Sequence, residues 1–92
     1  MDKVIVLNAL DNVGVIINEM ISKGTKVNVG SEKHIEILED IKFGFKMAIR
    51  SIDKGEKIVK YGEPIGKATQ NIREGEMVHI HNVEGLRGRG DL

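Results

Sequence analysis

The apolar positions of this chain do not keep one period. Val4 to Leu7 form a short apolar run that fits a buried first strand. Val13, Ile16, Ile17, Met20 and Ile21 then recur at helical spacing. Asp11 stands before them where a helix N-cap belongs, and Gly24 follows where a C-terminal glycine belongs, so the pattern predicts one short helix near the N-terminus. Beyond Gly24 the pattern alternates. Lys26–Val29, Ile35–Ile41, Lys46–Ile52, Lys57–Lys60, Ile65–Asn71 and Met77–Val83 are predicted strands. Six or seven short strands with a single helix predict a mainly β, compact barrel-like or clip-like fold. Pro64, between Gly62 and Gly66, is expected in a turn, where its missing N–H harms no ladder.

An internal repeat of the form Ile-x-x-Gly-x-x-(Val/Ile) crosses this pattern. It occurs as Ile21–Val27, Ile52–Ile58 and Ile72–Val78. Each glycine can take positive φ and close a tight turn, and each following Val or Ile opens a new strand. The unit is too short and too unevenly spaced for a solenoid. It predicts a recurring strand–turn–strand corner.

Composition narrows the functional classes. Ninety-two residues fit one domain, 1–92, with 84–92 a Gly/Arg-rich tail or linker. A chain this short buries only somewhat more than about 60% of its unfolded surface, which disfavours a large enclosed cavity. A site is therefore expected on a face or in a shared interface. The 14 basic and 14 acidic side chains cancel, which argues against a nucleic-acid or membrane-surface role driven by a long-range field. Phe43, Phe45 and Tyr61 are too few to build base-stacking platforms. With no cysteine, disulfides, thiolate nucleophiles and Cys-based zinc sites are excluded. The run after Met1-Asp2-Lys3 is too short for a signal-peptide core or a membrane span, so a cytoplasmic protein is expected.

The candidate chemistry lies in the last third. His79 and His81 are two apart on a predicted strand, which would point both imidazoles to one face beside Asn82. Such a pair can share a divalent metal or bind a polyol, but it needs a further ligand that the sequence does not identify. The same spacing also fits the polar outer face of an amphipathic strand. Arg87 and Arg89 flank Gly88, and their guanidinium forks match a carboxylate or phosphate; a solvated tail reads equally well. The tail looks unfinished, as if the chain were one piece of a larger assembly. Gly85, Gly88 and Gly90 do not make a dinucleotide fingerprint, because no helix follows them. Helix capping accounts for Asp11, His34 is expected in a solvated turn, and Tyr61 is expected to pack with its hydroxyl outward.

Taken together, Lys57-Ile58-Val59-Lys60-Tyr61-Gly62-Glu63-Pro64-Ile65-Gly66-Lys67-Ala68-Thr69, the stretch Gly75–Glu84 with His79-Ile80-His81-Asn82, and Arg87–Leu92 resemble the SAF-type domain of the altronate and galactarate dehydratase family. The Ala9–Val13 stretch and the Ile41–Lys46 turn look like further landmarks of that family, so the similarity runs nearly end to end. The small subunit of sulfolactate sulfo-lyase is a related case. The resemblance implies a β-clip fold and a small subunit or domain of a metal-dependent hydro-lyase acting on sugar acids such as altronate or galactarate. It implies a large dehydratase-like subunit as partner, inactivity alone, no nucleic acid or membrane, and a possible homo-oligomer. The reaction class would be elimination next to a carboxylate, with iron or manganese stabilising the enediolate and a basic side chain taking the proton. On this reading His79 and His81 are the catalytic and metal-binding candidates. Asn82 would contact substrate, and Arg87 and Arg89 would hold a carboxylate or dock the partner. One departure stands out: where the family commonly has Gly-His-Lys, this chain has Gly44-Phe45-Lys46. A second reading is a non-catalytic SAF module that binds carbohydrate or protein; a third is an orphan β domain with solvated histidines.

Overall fold

The computed structural model describes residues 3–30 and 33–85. Nine antiparallel strands follow one another: β1 (Val4–Ile5), β2 (Val13–Ile16), β3 (Lys26–Val29), β4 (Lys33–Glu36), β5 (Lys46–Ala48), β6 (Lys57–Lys60), β7 (Glu63–Ala68), β8 (Met77–Val78) and β9 (Val83–Glu84). They form a four-stranded sheet in the order β1-β2-β5-β8, a β3–β4 hairpin and a three-stranded sheet in the order β6-β7-β9. The fold is mainly β, as the alternating pattern predicts.

The expected N-terminal helix does not form, and no helix occurs among the described residues. The segment from Val13 is strand β2, paired with β1 through Val4↔Ile16 and with β5 through Val13↔Ala48. Its helix-like spacing has another cause. Val13 and Ile16 lie three apart, so on a strand they face opposite ways. Both are buried, Val13 in one apolar cluster and Ile16 in another. Gly14 lets β1 come close; a Cβ there would lie 2.5 Å from Val4 Cγ1. Asp11 caps no helix. Its carboxylate accepts the N–H groups of Asn8 and Gly62, at 3.3 and 2.7 Å.

Those two clusters are the core. Met47 and Ala48 are consecutive on β5 and both fully buried, Met47 against Val4, Ile16, Val27 and Ile37, Ala48 against Val13, Ile58, Ala68 and Val78. A strand buried on successive residues is covered on both faces. The β3–β4 hairpin closes one side and the β6-β7-β9 sheet the other. Each isoleucine taken fully out of water contributes roughly 1.5–3 kcal/mol to this arrangement.

The glycine corners join the layers. Ser22–Thr25, Asp53–Glu56 and Arg73–Glu76 are turns in which the fourth residue donates its N–H to the first carbonyl. The third residue is glycine with φ between 91 and 92°, as a type II turn demands. Lys42–Phe45 makes a fourth corner with Gly44 at φ 88°. It escapes the Ile-x-x-Gly-x-x-(Val/Ile) pattern only because Met47 fills the last position. Every corner glycine donates onward to the carbonyl of a buried residue: Gly24 to Ile37, Gly44 to Ile16, Gly55 to Ala68 and Gly75 to Ala48, at 2.7–2.9 Å. The corners are also coupled in pairs, through Ile21↔Ile41 and Ile52↔Ile72 bridges. The repeat is thus one device used four times.

Two further expectations change. Pro64 lies within β7, opposite Val59 where the register slips, a bulge being one of the few places a ladder tolerates proline. The expected strand Met77–Val83 is interrupted: β8 ends at Val78 and β9 begins at Val83.

The corners differ in how closely they are packed. A Cβ on Gly24 would meet nothing within 4 Å, whereas one on Gly75 would lie 2.1 Å from the Glu36 carbonyl oxygen. Gly24→Ala is expected to cost about 1–2 kcal/mol, from left-handed backbone alone. Gly75→Ala is expected to exceed about 4 kcal/mol, beyond the usual range of single substitutions. Urea denaturation of the two variants checks this, and equal losses would contradict the packing difference.

Candidate functional site

The segment that interrupts the last predicted strand is a turn, His79–Asn82, closed by the Asn82 N–H on the His79 carbonyl at 3.1 Å. Asn82 is 2% exposed. Its side-chain oxygen accepts the His79 N–H at 2.9 Å and its amide nitrogen donates to the Met77 carbonyl at 2.9 Å. Its own carbonyl accepts the Thr69 N–H at 2.9 Å. The amide expected to meet substrate is therefore engaged by the turn, and such local side-chain bonds compete directly with a continued strand. The two histidines consequently do not share one strand face. His79 is half-buried at the first turn position, His81 is exposed at the third, and Ile80 projects between them with 77% of its surface free.

His79 has an aromatic neighbour. Pairing of Lys46 with Val78 brings Phe45 alongside it, with ring centroids 4.5 Å apart and planes tilted by 33°. That distance is within the range of favourable ring pairs. Phe45 also packs against the first core cluster, so the residue that departs from Gly-His-Lys anchors the imidazole to the core.

Lys46 follows Phe45 and shares the strand face of Ala48. It is half-buried, and its pKa lies below its ordinary 10.5, first because burial disfavours the charged form and second because Lys60 adds a like charge. Lys60 closes β6 and places its Nζ 5.2 Å from the centre of the Tyr61 ring. Tyr61 and Gly62 connect β6 to β7 with φ of 55 and 79°. Two residues at positive φ make a type I′ hairpin turn, for which Asn-Gly is the ordinary choice. A tyrosine there carries about 1–2 kcal/mol of conformational cost. The surroundings hold it: Asp11 accepts the Gly62 N–H, while Asn12, 1% exposed, takes the Val59 N–H at 2.8 Å and donates to the Lys57 carbonyl at 2.7 Å.

Lys46, Lys60 and the role of Asn12 were not legible as site features. The sequence signals were a tyrosine where a hairpin prefers asparagine, and a lysine alternating with a buried alanine. Arg87 and Arg89 lie outside the described residues. Among the described residues no three His, Asp or Glu side chains converge as a metal site, so His79 and His81 do not fit a complete ligand set by themselves. Also among the described residues, no helix is long and apolar enough to cross a membrane.

Two consequences are measurable. Asn82→Ala strips partners from two backbone groups beside the core and is expected to cost about 2–4 kcal/mol, whereas His81→Ala, on an exposed turn, should stay within about 0.5 kcal/mol; similar urea midpoints for both would refute the structural role of Asn82. Lys46→Met keeps the apolar stem and removes the charge. Since folding lowers this pKa, the cost of the charge is full at neutral pH and lessens as pH climbs from the lowered value towards 10.5. The variant should therefore melt higher than the parent at pH 7. That gain should shrink in alkaline buffer, and a lower melting temperature at pH 7 would contradict the electrostatic reading.

With this geometry in place, comparison with known proteins is specific. The model of the family described as the altronate/galactarate dehydratase SAF domain matches residues 2–86. The chain is 40% identical over 84 residues to altronate dehydratase of Bacillus subtilis, covering 91% of this chain but 16% of that protein. It is 40% identical over 77 residues to altronate dehydratase of Escherichia coli, covering 84% of this chain and 15% of that one. It is 35% identical over 88 residues to (2R)-sulfolactate sulfo-lyase subunit alpha of Chromohalobacter salexigens, covering 90% of this chain and 94% of that subunit. The chain thus spans less than a fifth of the altronate dehydratases and nearly all of the sulfo-lyase subunit. On the family match and these relatives, the chain belongs to the altronate/galactarate dehydratase SAF domain family.

Proposed function

We propose that this chain is the small SAF component of a hydro-lyase for sugar acids such as altronate or galactarate, cytoplasmic and working with a large catalytic subunit. The observation that carries this is the contrast in coverage: 94% of a named sulfo-lyase subunit alpha against 16% of an altronate dehydratase. The same domain length thus corresponds to a subunit in one relative and to a small part of a long chain in the other. On this reading the fold is a β-clip, and the reaction is a β-elimination. A proton leaves the carbon next to the carboxylate, electrons move to form the C=C bond, and hydroxide departs from the neighbouring carbon as water after protonation.

His79 is the side chain best placed for proton transfer, since Phe45 restricts its ring while part of its surface remains reachable. His81 and Ile80, exposed on the same turn, face outward, where the large subunit or a substrate held by it would approach. Iron or manganese, if the assembled enzyme uses it, would take most of its ligands from the large subunit, because the described residues here do not converge on one. No step is assigned to it. Arg87 and Arg89 remain candidates for holding a carboxylate or the partner.

A second reading has one observation in its favour. Phe45 in place of the histidine of Gly-His-Lys removes an imidazole, as a carbohydrate- or protein-binding module without catalysis would permit.

Reconstitution decides between them. The chain is mixed with a co-purified large partner and assayed with altronate, galactarate and sulfolactate, with and without iron or manganese. The chain alone should be inert and the complex should release water from a sugar acid. His79→Ala should lower turnover by about 10²–10⁴, the usual worth of a positioned acid–base group, with little change in melting temperature. Unchanged turnover in that variant would remove His79 from the chemistry, and a partnered but inert complex would favour the binding module.

A further inference from the structure

Among the described residues six large apolar side chains are exposed, and the strand pairing sorts them into two groups at opposite ends of the four-stranded sheet. β2 and β5 run between these ends, from the Val13↔Ala48 pair to the Ile16 N–H on the Phe45 carbonyl. Leu7, Leu10 and Tyr61 stand at the first end, where Asp11 ties the β1–β2 loop to the Gly62 N–H. Met20, Phe43 and Ile80 stand at the second, 48, 63 and 77% exposed. Hydrogen bonds bring the segments carrying these three side by side. The Lys42–Phe45 corner is joined to the chain before Met20 by the Gly44 N–H on the Ile16 carbonyl at 2.9 Å. It is joined to the chain after Met20 by the reciprocal Ile21–Ile41 bonds, both 2.9 Å. On its other flank, Lys46↔Val78 pairing and the Phe45–His79 ring contact at 4.5 Å set it against the turn that carries Ile80. The corner with Phe43 therefore lies between the segments with Met20 and Ile80, and His79 lies beside it. The Met20 segment also turns at Asn18, at φ 75°, with the Glu19 N–H on the Ile17 carbonyl at 3.0 Å. That is the rare, strained form of the γ-turn, and strain of this kind gathers at functional sites.

We infer that the turns carrying Met20, Phe43 and Ile80 are the docking face for the large catalytic subunit, which closes over His79. Exposed apolar side chains gain by leaving water and offer a hydroxy acid no hydrogen bond, so a protein surface suits them better than a polar substrate. Area favours a large partner over a second copy of this chain. Three side chains about half to three-quarters exposed provide less than the roughly 800 Å² that each partner gives up in a stable interface. Two copies meeting on this patch alone would not hold. A large subunit that reaches past these turns to the polar residues around them buries the remaining area and keeps the three side chains as its dry centre. The identity of the partner rests on the hydro-lyase reading. The choice of this end over the one with Leu7, Leu10 and Tyr61 rests on its place beside His79.

The test measures the affinity of the full chain for the large partner used in reconstitution, by titration calorimetry, together with sedimentation of the chain alone. Phe43→Ser and Ile80→Asp should each weaken association at least about tenfold. Both should keep the parent's melting temperature, because both side chains are exposed. Leu10→Ser, at the opposite end, should leave the affinity unchanged, and the chain alone should sediment as a monomer. Equal weakening in all three variants, or no association at all, overturns the docking face. A homodimer that Ile80→Asp dissolves overturns it too, by assigning the patch to a second copy. Association weakened by Phe43→Ser and Ile80→Asp in a complex that shows no elimination supports the docking face while removing the hydro-lyase reading. Elimination by a complex whose affinity neither variant changes removes the docking face and leaves that reading standing.

Discussion

Met47 and Ala48 are neighbours on one strand and both are fully buried, so β5 needs an apolar cover on each face. Much of the architecture answers that requirement. A hairpin covers the Met47 side and a three-stranded sheet the Ala48 side. A chain of 92 residues can supply two covers only if its connections are tight, which is what the four glycine corners provide. Their left-handed backbone reverses the chain within four residues and sends each glycine N–H to the carbonyl of a buried residue. Backbone polar groups at the corners are thereby paired where a looser loop would leave them beside the core.

The same economy extends to two asparagines. Asn12 joins β2 to β6 and Asn82 joins β8 to its following turn, each with both ends of its amide bonded to backbone. Among the described residues, no buried side-chain nitrogen or oxygen is left without a partner.

Family membership and site geometry bear on function differently. The fold is shared by proteins whose names describe both dehydratases and a sulfo-lyase subunit, and a fold alone does not select among chemistries. The structure itself contributes the Phe45–His79 stack, the half-buried Lys46 and the exposed Ile80 turn. The stack sets an apolar ring, packed on the core, against the His79 imidazole. The combination suits a face completed by another protein better than a self-contained cavity.

Much of the β character, the strands Lys26–Val29 and Lys57–Lys60, and the glycine corners were determined by the sequence itself, because alternation and positive-φ glycine act over a few residues. The His-x-His-Asn landmark was equally legible as a landmark, though not as a geometry. Val13–Ile21 read as a helix because spacings of three and four arise from one helix face or from a strand shared by two cores, and only the packing of β2 between them distinguishes these. The burial of Asn82 was not legible because a buried amide and an exposed one have the same letter; its bonds to Met77 and His79 exist only once the turn is folded. Lys46 and Lys60 stand fourteen positions apart in the chain, and nothing local marks either. Their partial burial comes from the pairing of β2 with β5 and the docking of β6 on Asn12, which are long-range contacts that only the tertiary structure decides.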